Sequence, residues 1–408
     1  MKKGWQTKKL AEVCDVKHGY AFDGQEFSSD VPEGNPLVIT PGNFTEDGKL
    51  LFNERNTKRF SGTPPTAFRF DIGDLVVVMT DLSSKMKILG KPAFIETDDV
   101  LHNQRIGRVK FLNDGIDKRF VYYFMMSDRY LQSIKISATG TMVKHTAPGR
   151  ILDNEILLPP LAEQQRIVGL LDEAFEGLAT AKANAEKNLQ NARALFESHL
   201  QSVFTQRGLG WVDTALGGVC GFVRGPFGGS LKKSIFVADG YAVYEQQHAI
   251  YDQFDDVRYF IDEAKFKEMK RFELLPDDLI MSCSGTMGRV AIVPKDIKRG
   301  IINQALLKLT PSSKILNTFL KSWMESEAFQ DALKEYSGGA AIQNVASVKI
   351  LKEIKVPLPS MSDQKRVVEE LDDLREETQR LARLYERKHA ALEALKKSLL
   401  HQAFTGAL

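Results

Sequence analysis

The sequence predicts an α+β chain of tandem design, with two mixed α/β globular segments each followed by one long helix. Three observations predict it. The chain matches itself at a shift of about 200 residues, a period too long for a solenoid, so a whole domain with its helix is doubled. Two stretches, 162–204 and 362–404, hold no proline, and their only glycines are Gly169 and Gly177. The remainder alternates short apolar runs with Gly-, Asp- and Lys-rich loops. With 408 residues, 43% hydrophobic and 26% charged, the chain has the composition of a globular protein of two to three domains. The boundaries read as residues 1–155, a first head; 156–206, a central helix; 207–355, a second head; and 356–408, a distal helix.

In the first head, strand-like runs lie at 36–40, 75–79 and 106–111, followed by a helical pattern near 120–125. In the second head their counterparts lie at 279–282 and 305–309, with a helical pattern near 317–323. Gly4-Trp5, Leu10 and Val13-Cys14 match Gly210-Trp211, Leu216 and Val219-Cys220. Asn103-Gln104 recurs as Asn303-Gln304 in heads that otherwise diverge, which favours a structural task, bonding loop backbone, over base reading.

The helices repeat without a gap. Leu158-Pro159-Pro160-Leu161-Ala162-Glu163-Gln164-Gln165-Arg166-Ile167 meets Leu358-Pro359-Ser360-Met361-Ser362-Asp363-Gln364-Lys365-Arg366-Val367. The prolines close extended approaches, and Glu163 and Asp363 place acid in the first helical turn, where it suits the helix dipole. Roughly 43 residues at about 1.5 Å each make a rod of about 65 Å, which needs a partner for its apolar stripe. Heptad spacing sets the seam at Ile167, Leu171, Leu178 and Leu195 in the first helix, and at Leu371, Leu374, Leu381, Leu392 and Leu395 in the second.

Charge is nearly balanced. Residues 1–150 hold 22 Lys/Arg against 18 Asp/Glu, and 207–355 hold 20 against 18, while 151–206 hold 4 against 8. A slight positive excess in the heads is compatible with phosphate contacts and no more than that. No apolar run approaches the roughly 20 residues of a bilayer span, and residues 1–6 turn polar at once, so a cytoplasmic protein without membrane contact is expected. Cys14, Cys220 and Cys283 cannot all pair and lack metal-ligand spacing, so reduced structural thiols are expected.

Signatures of chemistry are missing from the sequence. There is no phosphate-binding Gly-x-x-x-x-Gly-Lys-Ser/Thr loop, no dinucleotide fingerprint, no i, i+4 histidine pair and no serine-hydrolase elbow around Ser282-Cys283-Ser284-Gly285. No catalytic residue, metal site or cofactor is expected in this chain. The polar loops instead carry groups that can meet base edges, Gln with adenine and Arg or Lys with guanine. These candidates are Asn43, Lys85, Lys87, Lys144 and His145 in the first head. In the second they are Arg224, Lys232, Lys233, Gln246, Gln247, His248, Arg289, Gln343 and Asn344. Each is also readable as a solvated loop residue.

The Leu-Pro-Pro-Leu-Ala-Glu-Gln-Gln-Arg-Ile start of a long helix, its degenerate second copy, the Arg224 to Lys233 loop and the Gly285 to Arg289 turn resemble the specificity subunits of Type I restriction-modification systems. The resemblance covers essentially the whole chain; the second copy departs from the pattern at Ser360, Met361 and Asp363. It implies two target-recognition domains, each reading half of a split, asymmetric DNA sequence. It also implies helices packed as an antiparallel coiled coil with pseudo-two-fold symmetry, serving as a ruler between the half-sites. Partners implied are double-stranded DNA, two methyltransferase subunits carrying S-adenosylmethionine, and restriction subunits that act on unmodified DNA such as that of phage. Half-sites one turn apart lie about 34–36 Å from each other, a span the rod can serve. Two other readings stand beside this one: a coiled-coil scaffold that binds only proteins, and a DNA methyltransferase or nuclease with an unrecognised site.

Overall fold

The structure is a computed structural model describing residues 4–63, 65–335 and 347–408. The chain forms two compact units. The first joins Met1–Ala185 to Arg387–Leu408, and the second is Glu186–Glu386. Each unit therefore contains one head, a length of the central helix (Leu161–Gln206) and a length of the distal helix (Met361–Thr405).

The first unit is built on a four-stranded antiparallel sheet in the order Cys14–His18, Ile106–Phe111, Leu75–Val78, Pro92–Phe94. The apolar run Leu75-Val76-Val77-Val78 is continuous because both faces of its strand are covered. Leu75 and Val77 face one core with Phe120, Phe124 and Tyr130; Val76 and Val78 face another with Leu37 and Ile39. Only Leu37–Val38 of the expected 36–40 run is a strand, since Pro36 lacks an amide donor and Pro41 opens a 3-10 turn. Helix Lys118–Met126 is capped by Asp117, whose carboxylate accepts from the Arg119 and Phe120 amides. Strand Gln6–Lys9 pairs with Glu155–Leu158, the extended approach to the central helix.

The second unit repeats this plan. Its sheet runs Cys220–Arg224, Leu306–Pro311, Leu279–Ser282, Val290–Ile292. A second sheet pairs Tyr241–Tyr244 in parallel with Gly300–Ile302. Val212–Ala215 pairs with Lys355–Leu358 ahead of the distal helix, and Asn317–Glu325 takes the place of the first head's Lys118–Met126.

Each head buries the start of one long helix and the end of the other. In the first unit Ile167 and Leu171 join the core, and Phe404 packs edge-on against Phe120 with centroids 5.1 Å apart. In the second, Val367 and Leu371 join the core, and Phe204 meets Phe319 at 5.6 Å. The helices run antiparallel in both. Lys182 pairs with Glu393 at 2.7 Å, and Lys396 lies over the Phe175 ring in the first unit. Arg193 pairs with Glu386 at 2.9 Å, and Arg375 lies over Phe196 in the second.

The heptad seam requires a correction. Ile167, Leu171 and Leu371 are buried, and Leu178, Leu374, Leu381 and Leu392 half-buried, but Leu195 and Leu395 are 51% and 47% exposed. A straight α-helix drifts by about 20° per heptad from a strict 3.5-residue repeat. The covered stripe therefore passes through Ala185, Ala192, Phe196 and Leu200, and through His389, Lys396, Leu400 and Phe404. Toward its end, each stripe turns from the other helix onto a head.

Candidate nucleic-acid interface

In an antiparallel sheet the chain reverses at both ends, so loops distant in sequence gather at one edge. Strands ending at Arg224 and Ser282 and strands starting at Val290 and Leu306 share one end of the second head's sheet. The segment before Leu306 anchors them. Asn303 N donates to Tyr244 O, Gly225 N to Leu306 O and Cys283 N to Ala305 O, each at 2.9 Å. A Cβ on Gly225 would lie 1.8 Å from Asn303 O, so only glycine permits this approach. The Asn303 carboxamide oxygen accepts from Ala305 N.

The first head is assembled in the same way. Tyr20 N donates to His102 O and Met79 N to Arg105 O; Gly19 would clash with the Asn103 and His102 carbonyls if it bore a Cβ; and the Asn103 carboxamide accepts from Arg105 N. Asn103 and Asn303 thus organise loop backbone, as expected, while Gln104 and Gln304 beside them are exposed.

The candidate residues divide according to this geometry. Strand Lys144–His145 pairs with Thr80–Asp81 at the loop end, and the His145 ring lies 3.1 Å from Thr80 Oγ1. Lys85 stands exposed in the 82–88 loop between these elements. Lys87 turns to Glu46, 2.6 Å away. Arg224 ends its strand, while Lys232, Lys233 and Arg289 are exposed on the loops around it. Gln246 and Gln247 open helix Gln246–Tyr251, directly after the strand that Asn303 anchors. Gln247 accepts from Arg258 and donates to Asp256 O. Gln343 and Asn344 lie outside the described residues.

Two candidates are corrected. Asn43 is fully buried; its carboxamide accepts from Thr40 and donates to Leu51 O and Asn56 O, closing a turn. His248 is also fully buried, and its ring is bonded to the Glu245 backbone and to Asp256 O. Neither presents an edge to a base.

Two residues whose positioning role the sequence did not give hold these loops. Asp81, 3% exposed, accepts from Ser83 N at 2.8 Å and from Ile88 N at 3.0 Å, clamping both ends of the 82–88 loop. Ser282 does the same for 283–289, donating to Thr286 O and accepting from Arg289 N. Ser282-Cys283-Ser284-Gly285 is thus the end of strand Leu279–Ser282 and the turn that follows it. Burial pushes the Cys283 thiol up to about 12, against the opposing effect of nearby Arg224. Cys14 and Cys220 are likewise buried, with thiols pushed up to about 12. Among the described residues no group of three His, Cys, Asp or Glu could hold a metal, and no helix is long and apolar enough to cross a membrane.

At the opposite end of each sheet, the helix start is stitched to its head by one glutamine. Gln164 accepts from Asp117 N at 2.8 Å and donates to Gly115 O and Pro159 O. Gln364 accepts from Leu316 N at 2.8 Å and donates to Lys314 O and Pro359 O. The two are 1% and 0% exposed. The repeated Pro-x-x-x-x-Gln spacing carried this signal, though not the partners.

These features define a two-headed recognition protein made by duplication, with varied loops on a repeated frame. The chain matches the Type I restriction modification DNA specificity domain over residues 2–189 and 210–386, and it belongs to that family. It is a specificity subunit, a non-catalytic role. It is 24% identical, over an alignment of 429 positions, to the Type I restriction enzyme EcoBI specificity subunit of Escherichia coli, with 99% of this chain and 86% of that one covered. The MjaVIII specificity subunit of Methanocaldococcus jannaschii is 25% identical over 194 residues, 46% of this chain and 43% of that one. Among solved structures, a chain from a study of complex assembly and conformational transition of the type I R-M system shares the fold. Its TM-score is 0.78 at 19% identity, with 100% of this chain and 99% of that one covered. The HsdS subunit from Thermoanaerobacter tengcongensis has TM-score 0.65 at 18% identity, with 100% and 98% covered.

Proposed function

We propose that the two heads, residues 1–155 and 207–355, each read one half of a split, asymmetric double-stranded DNA sequence. The helical segments, 156–206 and 356–408, act as the ruler between the half-sites. The chain works in the cytoplasm with two methyltransferase subunits, which carry the S-adenosylmethionine, and with restriction subunits. One observation supports this above all: the same anchored loop end is built twice, with different side chains on the loops. A conserved frame with dissimilar surfaces suits two readers of different sequences. Phosphate contacts would supply much of the affinity, and a few loop side chains the discrimination.

The test is to map methylated adenines in cells carrying the complete system, with this chain's gene present and deleted. A two-part motif that disappears with the gene is expected. An unchanged pattern, or a continuous motif, overturns the proposal. A protein-only scaffold would select no DNA sequence in a gel shift of the complex at stated salt. An enzyme with an unrecognised site would transfer methyl groups, or cut, as the purified chain alone.

A further inference from the structure

The second head presents an unusual side chain at its loop end. Phe227 is 92% exposed. Single exposed apolar residues are ordinary on protein surfaces, so exposure alone means little. Its setting is what distinguishes it. Phe227 lies two residues beyond Gly225, whose backbone is pressed onto Asn303 O, and its own carbonyl accepts from Ser230 N at 2.8 Å. The loop root is therefore fixed while the ring stands clear. From residue 214 to 238 the sequence has no Asp or Glu, but it has Arg224, Lys232 and Lys233. Arg289 is exposed on the neighbouring turn at the same sheet end. An exposed apolar ring on a loop segment that carries cations and no acid complements an anionic partner that also offers an apolar group.

We propose that Phe227 is a specificity-determining residue that packs against the 5-methyl group of a thymine in the half-site read by the second head. Double-stranded DNA hides its base faces in the stack, and the only apolar group on its major-groove edges is that methyl. The flanking cations hold phosphates on either side, and the ring reads the methyl between them. This inference rests on the reading of the chain as a DNA specificity subunit, and its test separates the two.

The complex with its methyltransferase partners is prepared with wild-type chain and with Phe227→Ala. Binding is measured to duplexes bearing the mapped site, with each thymine of the second half-site replaced in turn by deoxyuridine. At one position the missing methyl weakens wild-type binding about three- to tenfold, the scale of burying one methyl against a ring, and leaves Phe227→Ala binding unchanged. Replacements in the first half-site affect both proteins alike. Thermal midpoints of the two proteins agree, as a surface position requires. The inference is overturned if the second half-site holds no thymine, or if every replacement affects both proteins equally. It is also overturned if permanganate reactivity shows an unstacked step at that position, which would make Phe227 a wedge. Wild-type complex that selects no sequence overturns the functional reading itself.

Discussion

Replacing Gln364 by Leu tests how the reading heads are tied to the helices. The side chain is fully buried and serves three backbone groups: the Leu316 amide, at 2.8 Å, and the Lys314 and Pro359 carbonyls, at 3.0 and 3.1 Å. Leucine has similar bulk but no polar atom, so all three lose their partner. A buried backbone group left unpaired costs about 1–3 kcal/mol; carbonyls tolerate this better than amides. Weighting the amide fully and the carbonyls partly gives about 2–5 kcal/mol. At about 2–4 °C per kcal/mol for a unit of this size, the unfolding midpoint of the second unit falls by about 4–20 °C. Calorimetry reads the midpoint, and hydrogen exchange reads the place: the Leu316 amide loses protection while amides of the first unit keep theirs. Gln164→Leu mirrors the effect at the Asp117 amide. A midpoint within about 1 °C of wild type, with Leu316 still protected, would refute the argument that this glutamine holds head to helix.

Four residues inserted after Ala183 lengthen the central helix by about 6 Å. Methylation mapping should then show the gap between half-sites altered by a base pair or two, and both half-sites unchanged; altered half-sites would refute the ruler. The seam correction predicts that Leu195→Lys and Leu395→Lys, at half-exposed positions, change stability by no more than about 0.5 kcal/mol. Leu171→Ala, 1% exposed, costs about 2–5 kcal/mol, and urea unfolding compares them. Burial holds the His102 imidazole down at about 4, so it is neutral when folded. The unfolded chain takes up a proton below about pH 6.5 and the folded one not until about pH 4. Stability of the first unit is therefore full above pH 6.5 and falls through that window, by up to about 3 kcal/mol. His102→Gln should flatten urea midpoints between pH 7.5 and 5 relative to wild type.

The doubled plan was readable because it rests on local signals: proline-free stretches, first-turn acids and a register that holds from Leu158 to Thr205. Periodicity also found Leu75–Val78 and Ile106–Phe111, whose apolar runs are long enough to stand out. The helix ends were misread at Leu195 and Leu395, because a strict heptad assumes one partner throughout, while each stripe ends on a head. Asn43 and His248 looked like base readers because a polar side chain in a loop gives no local sign that it closes a turn. Asp81 escaped notice, and the roles of Ser282, Gln164 and Gln364 went unread, for the converse reason. Their partners are backbone groups, which leave no mark in sequence, and for the glutamines those groups lie up to 50 residues away.

The central claim, that each head independently reads one half-site, is tested most directly by exchanging residues 1–155 for the first head of another member of the family and mapping adenine methylation. The account predicts a motif with one half replaced by that of the donor, the other half and the gap retained. A motif changed in both halves, or in neither, would contradict it.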